Sequence, residues 1–236
     1  MRQDFPDERA IPDHPLHLWS LNEPAGMAMK YQATRDLFDY WNGLRGNRPA
    51  PERAEIDLAA IRGLIADMFM LDVDAAHLFP FVLSGTRVNA LACAEQNGQS
   101  FLGLWSQQEA HSIASMLLTM MEASCPVVAT AVATPEGGAD HEIEILLLPL
   151  GRRGENRARI LGLTAATAAP SWLGLLPVKN LNLRSLHAID AALTPRAFDI
   201  RPLFATPAVT PQAQPFGRPA ADIPHLQVFE GGRKIS

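Results

Sequence analysis

Apolar positions recur at helical spacing in two stretches of the chain and follow strand-like patterns in most of the rest. Leu37, Phe38, Trp41 and Leu44 fall on one face of a predicted helix over 32–44, which Gly43, Gly46 and Pro49 bring to an end. Pro49 and Pro51 mark a loop. Asp57 then stands as N-cap of a short helix carrying Leu58, Ile61, Leu64 and Ile65. Two short apolar runs follow, Met68–Val73 and Leu78–Leu83, separated by a turn at Asp74-Ala75-Ala76-His77; Pro80 suits an edge or a bulge. Ser84-Gly85-Thr86 breaks the second run, and short helical turns are expected from Val88 to Glu95. The clearest helix is Gln107–Glu122, with Ser106 as cap, Glu109 three residues on in a capping-box arrangement, and one stripe of Ile113, Met116, Leu117, Met120 and Met121. Pro126–Ala133, Glu142–Leu150 and Arg157–Ala166 read as strands joined by Gly-bearing turns at 135–138 and 151–156, an antiparallel meander. Beyond Pro177, Leu181, Leu183 and Leu186 suggest a strand continuing into a short helix up to Leu193.

The two ends lack such a pattern. Residues 1–30 mix proline, acidic and apolar residues without a steady period and read as a flexible arm. From Thr194 to Pro224 prolines recur every few residues, which excludes a regular ladder or helix and reads as an extended linker. The last residues, HLQVFEGGRKIS, regain strand character, and docking on the sheet edge and a free end are both open for 222–236.

Composition narrows the class. The chain is 47% hydrophobic and 19% charged, enough apolar material for a core, and its net charge of -5 argues against a duplex-DNA binder, which needs a basic face. Arg152, Arg153, Arg157 and Arg159 form a local basic cluster that reads as a solvated hairpin turn. Cys93 and Cys125 are far apart, so neither a disulfide framework nor a zinc site is expected. The N-terminus has no apolar core of a signal peptide. The uncharged stretch from Ile160 to Val178 is broken by Gly162, Pro170, Gly174 and Pro177, and reads as a strand entering a proline-bounded loop rather than a membrane span. A cytoplasmic protein without membrane insertion or nucleic-acid partner is expected.

The order of two strands, short helices, one longer helix and a three-stranded meander resembles a PAS domain. Gly85-Thr86-Arg87-Val88-Asn89-Ala90-Leu91-Ala92 resembles the PAS passage after the second strand, and Asn97–Trp105 (NGQSFLGLW) the glycine-plus-aromatic stretch that follows it. Ser106–Ala110 sits where the long connecting helix begins, Pro135-Glu136-Gly137-Gly138 resembles the hairpin between the third and fourth strands, and Leu148-Pro149-Leu150 closes the fourth. The likeness extends to a group of short bacterial single-PAS regulatory proteins, through RDLFDYWNGL at 35–44, the 49–57 loop, Ser84-Gly85-Thr86-Arg87 and HLQVFEGG in the tail. The resemblance implies an α+β fold: a five-stranded antiparallel sheet with helices on one face, a helical N-terminal extension and a Pro-rich tail. It divides the chain into an arm (1–30), the helical extension (31–66), the PAS domain (67–193) and the linker with its tail (194–236). It also implies a non-enzymatic signalling protein acting through protein–protein contact, by self-association as a homodimer or with a partner such as a sensor kinase. The alternative is a sensor of an apolar metabolite or of haem. Cys93, within Leu91-Ala92-Cys93-Ala94, departs from the Asn-Cys-Arg-Phe-type motif of flavin-binding light sensors, so flavin photochemistry is not expected.

Candidate site residues follow from these readings. His111 lies on the helix that supplies the axial imidazole in haem-binding PAS domains, although its first-turn position beside Glu109 also suits an exposed residue. Arg87 is placed to reach an anionic ligand, or to form a surface salt bridge; Trp105 is placed to cap a pocket, or to pack in the core. Met116 and Met120 line a ligand pocket or simply the core, methionine being an adaptable filler. On the extension, Leu37, Phe38, Trp41 and Leu44 form an apolar face for a second copy or a partner. His141 and Glu142 point to opposite faces of a strand, which precludes joint chelation. Asp72, Asp74 and His77 cluster near a turn. No cofactor is assigned, and no nucleophile elbow or H-E-x-x-H helix is present.

Overall fold

β5 (His141–Leu150) shows how the fold is organised, because its side chains alternate between two separate cores. Ile143, Ile145 and Leu147 join one apolar cluster, whereas Leu146, Leu148 and Leu150 join another on the opposite face of the same sheet. The continuous apolar run in the sequence is the signature of a strand covered on both sides. The computed structural model describes residues 19–23 (backbone path), 29–74, 76–151 and 158–189, all within one compact unit.

The other strands are β1 (Trp19–Glu23), β2 (Met68–Val73), β3 (Phe81–Ser84), β4 (Val127–Pro135), β6 (Ala158–Ala165) and β7 (Val178–Ile189). They form one seven-stranded sheet in the order β1-β7-β4-β5-β6-β2-β3. Neighbours are antiparallel except β1, which pairs parallel with β7. The expected five strands are therefore present as β2 to β6, and β7 and β1 extend the sheet beyond β4. Among the described residues there are three α-helices: α1 (Gln32–Arg45), α2 (Thr86–Ala92) and α3 (Gln107–Ala123). The chain leaves β3, passes through α2, a 3₁₀ turn at Phe101–Leu104 and α3, and re-enters the sheet at β4.

The inner face holds the larger cluster. Phe69, Phe81, Phe101 and Trp105 pack ring to ring with centroids 5.6–5.9 Å apart, beneath the Ile113, Met116, Leu117 and Met120 stripe of α3. Phe69 lies opposite Gly162 in the β2–β6 register, and a Cβ at 162 would run into its ring. Only glycine leaves room for that aromatic ring across the strand pair.

The outer face is covered by α1. Leu37 and Trp41 are fully buried and Phe38 nearly so, against Leu146, Leu148, Leu161 and Leu163. Gly46, with φ +54, ends the helix.

Several local expectations are revised. The segment after Asp57 forms successive turns rather than an α-helix: Asp57 Oδ1 accepts from Ala59 N–H at 2.9 Å, and the Ala60 and Leu64 amides bond three residues back. The second strand starts at Phe81 instead of Leu78, since His77 and Phe79 both have positive φ and cannot continue a ladder. Pro80 sits on the edge, as its missing donor requires. Ser106 and Glu109 do not complete a capping box. The Ser106 hydroxyl donates to Glu109 at 2.9 Å, and Glu109 instead accepts from the Leu183 backbone N–H at 2.8 Å, beside an irregularity in the β4–β7 register. The proposed N-terminal arm contains a strand, β1. The segment after Pro177 is one twelve-residue strand, and the short helix expected up to Leu193 falls beyond the described residues. The 194–236 tail, with its docking alternative, and Arg152, Arg153 and Arg157 also lie outside them. The uncharged stretch from 160 to 178 is indeed a strand leading into a loop, and no helix among the described residues is long and apolar enough to cross a membrane.

Candidate functional site

A cleft of about 370 Å³ opens where β6 ends and the 166–173 loop folds back over α2. One wall is apolar: Leu91 of α2, Ile143 of β5, and Ala166, Ala169, Trp172 and Leu173 of the loop. That wall is firmly held. Gly174 N–H donates to Ala90 O on α2 at 3.1 Å, the Trp172 indole N–H to Ala139 O at 2.9 Å, and Glu136 N–H to Pro177 O at 3.1 Å. Loop and hairpin thus fix the Trp172 ring, which His141 meets edge-on at 6.4 Å.

The polar groups come from other elements. Asp67, at the end of the 3₁₀ turn Ile65–Asp67, and Arg87, in the first turn of α2, form an ion pair at the mouth of the cleft. The Arg87 side chain is 53% exposed and that of Asp67 20%. Burial raises the Asp67 carboxyl above its ordinary value, with Arg87 pulling the other way. Tyr31, Gln32 and Ala33, at the start of α1, close the third side, and Tyr31 Oη lies 3.3 Å from Thr167 Oγ1.

Of the five residues singled out for ligand contact, Arg87 alone lines this cleft, and it does so while forming the salt bridge foreseen as its alternative. Trp105 is a core residue packed on Phe101, with its buried indole N–H unpartnered, rather than the cap of a pocket. Met116 and Met120 are buried within the same cluster. His111 is exposed, because its position falls on the side of α3 opposite Ile113, Met116, Leu117 and Met120. It does not face an interior where a macrocycle could bind. The sequence reading missed His141, Asp67 and Trp172 as cleft residues. His141 is half-buried, and its Nε2 is buried without a partner.

The proposed interaction face of the extension requires correction as well. Leu37, Phe38 and Trp41 face the chain's own sheet, and Leu44 packs half-buried against the same cluster, so in docked α1 only Leu44 of this stripe is partly accessible. Asp72, Asp74 and His77 have separate roles. Asp72 pairs with Arg159 across the β2–β6 ladder at 2.9 Å, while Asp74 Oδ1 accepts from the Leu78 N–H at 2.7 Å in the turn. Cys93 caps the C-terminus of α2 in the left-handed conformation. Among the described residues no group of three or more His, Cys, Asp or Glu is placed to hold a metal ion.

Polar contacts at two points tie α1 to β5. Trp41 Nε1 donates to Pro149 O at 2.8 Å in the interior. At the other end the Glu144 carboxylate, 1% exposed on the outer face of β5, accepts from the Lys30 and Tyr31 backbone N–H groups at 2.8 and 3.4 Å. Tyr31 is the N-cap residue and supplies no side-chain cap of its own, so the sheet provides the negative charge that the helix start favours. Next to it Lys30 Nζ pairs with Glu142 at 2.6 Å, which holds the Lys30 ammonium above its ordinary pKa.

Antiparallel strands in the order β4-β5-β6-β2-β3, with the helical crossover packed on one face, define an α+β domain. The PAS domain family model matches residues 29–165, from the anchor of α1 to the end of β6, and the protein belongs to that family. Among curated proteins none matches the chain.

Proposed function

We propose that this protein is a regulatory PAS protein that performs no chemistry of its own and acts by binding a protein partner, either a sensor kinase or a second copy of itself. The observation that supports this reading is the construction of the outer layer. A strongly apolar sheet face, bearing Leu146, Leu148, Leu161 and Leu163, is covered by a helix that is tied to β5 through the Glu144 carboxylate at its start and the Trp41 indole further along. Release of α1 would expose that face together with Leu37, Phe38 and Trp41. The self-association surface then belongs to the released state. Light scattering on size-exclusion fractions of wild type and Trp41→Ala tests it. The loosened variant is expected to show a larger dimer fraction at equal concentration, and a folded, unchanged monomer would refute the self-association arm.

A second reading, a small-molecule sensor, is favoured by the cleft beside α2, whose volume lies within the range of ligand pockets. Because Tyr31, Gln32 and Ala33 line it, an occupant would touch the start of α1 directly.

A further inference from the structure

The cleft contains one ion pair and an otherwise mostly apolar lining, and that combination restricts what fits. Arg87 Nη1 is paired with Asp67 Oδ2, so the two formal charges at the mouth already neutralise one another. Among the described residues, Asp67 Oδ1 and the Nε and Nη2 of Arg87 hold no hydrogen bond. An acceptor and a pair of donors therefore stand next to each other. A carboxylate ligand would compete with Asp67 for the guanidinium and face its repulsion; an ammonium would do the reverse to Arg87. A group that both accepts and donates, without net charge, satisfies both residues and leaves their pairing intact.

We propose that the cleft binds a small neutral molecule with a carboxamide or lactam head, its carbonyl accepting from Arg87 and its N–H donating to Asp67 Oδ1. Its flat or branched apolar body packs against Trp172, Leu91 and the alanines of the 166–169 segment. The loop carrying Trp172 is tied to α2 and to the β4–β5 hairpin, so this wall is formed in advance of binding. This site is distinct from the space between sheet and α3, which Phe69, Phe81, Phe101 and Trp105 occupy. The inference rests on the sensory reading above and is independent of partner binding.

Calorimetric titration of the full-length chain with phenylacetamide, indole-3-acetamide and 2-pyrrolidinone tests it, with phenylacetate and phenethylamine as the charged counterparts. At least one carboxamide or lactam is expected to bind about tenfold more tightly than either charged compound, the order of effect of one well-placed polar contact. Arg87→Ala should weaken that binding by a similar factor. Ala168→Phe, at an exposed wall position, should abolish it while leaving the circular dichroism spectrum unchanged. Equal or tighter binding of a charged compound, lost in Ala168→Phe, would overturn the neutral head group and keep the cleft as a sensory site. Binding indifferent to Ala168→Phe, or no binding by any of the compounds, would overturn the proposal together with the sensory role of the cleft.

Discussion

The two faces of the sheet are covered in different ways. The inner layer is held almost wholly by packing: four aromatic rings, two methionines and the leucine and isoleucine of α3 interlock, and the one buried polar group among the rings, Trp105 Nε1, has no partner. The outer layer combines apolar burial with directed bonds, the Trp41 indole N–H to Pro149 O and the Glu144 carboxylate to the start of α1. Packing alone tolerates small slides between surfaces, whereas a buried carboxylate accepting two backbone N–H groups admits one register. The inner layer therefore supplies stability, and the outer layer adds a defined position for a helix that could otherwise shift along the strands.

The sharpest way to break this contrast is to truncate one large ring on each side. Phe101→Ala and Trp41→Ala should each cost about 3–5 kcal/mol, the usual range for a buried aromatic. Their consequences should differ in place. Phe101→Ala should lower the urea midpoint of the whole domain, while Trp41→Ala should first accelerate amide exchange in α1 and on the outer positions of β5. Identical exchange patterns in the two variants would show that the layers open as one. Gly162→Ala comes next, at about 1–3 kcal/mol from overpacking against Phe69, and it should leave exchange in α1 no faster than global unfolding allows. Glu144→Gln keeps the shape and an acceptor but removes the charge. It should cost about 1 kcal/mol, with a correspondingly smaller fall in the urea midpoint than the ring truncations cause, and speed exchange of the first α1 amides.

The smallest effect concerns Asp67. Its carboxyl titrates above the ordinary value of 3.8, so the folded state holds the proton more tightly than the unfolded chain does. Above the raised value Asp67 therefore lowers stability, and this penalty fades as pH falls through it. Asp67→Asn should melt slightly higher than wild type at pH 7, and the two should converge in acid. A variant that melts lower at pH 7 would show that the Arg87 pairing outweighs burial.

Most strands and both long helices were legible because each carries its own periodicity. The Leu37–Leu44 stripe and the Ile113–Met120 stripe each fall on one helical face, and the β5 run is apolar on both sides. The stripes could not say what they face. The same spacing that suggests a free surface on α1 serves equally to cover Leu146 and Leu161, and only the fold decides between them. β1 escaped notice because the Trp19/Leu21 alternation spans only five residues and its partner strand lies more than 150 positions away, which leaves little local signal. The cleft was legible only at Arg87. Asp67, His141 and Trp172 come from three separate segments, and what joins them is the closure of the 166–177 loop onto α2, a non-local event.

The position of β7 has a practical consequence for fragments of this protein. The family match stops at residue 165, yet β7 pairs with β4 along nearly its full length, from Val127 to Pro135. A fragment cut at Ala165 would leave a long row of unpaired amides and carbonyls on a strand rich in valine and alanine, a template for strand addition between molecules. It would also strip Glu109 of the Leu183 N–H that it accepts from. Such a fragment is expected to form insoluble or strand-swapped oligomers, whereas one ending after Ile189 keeps the β4 edge sealed.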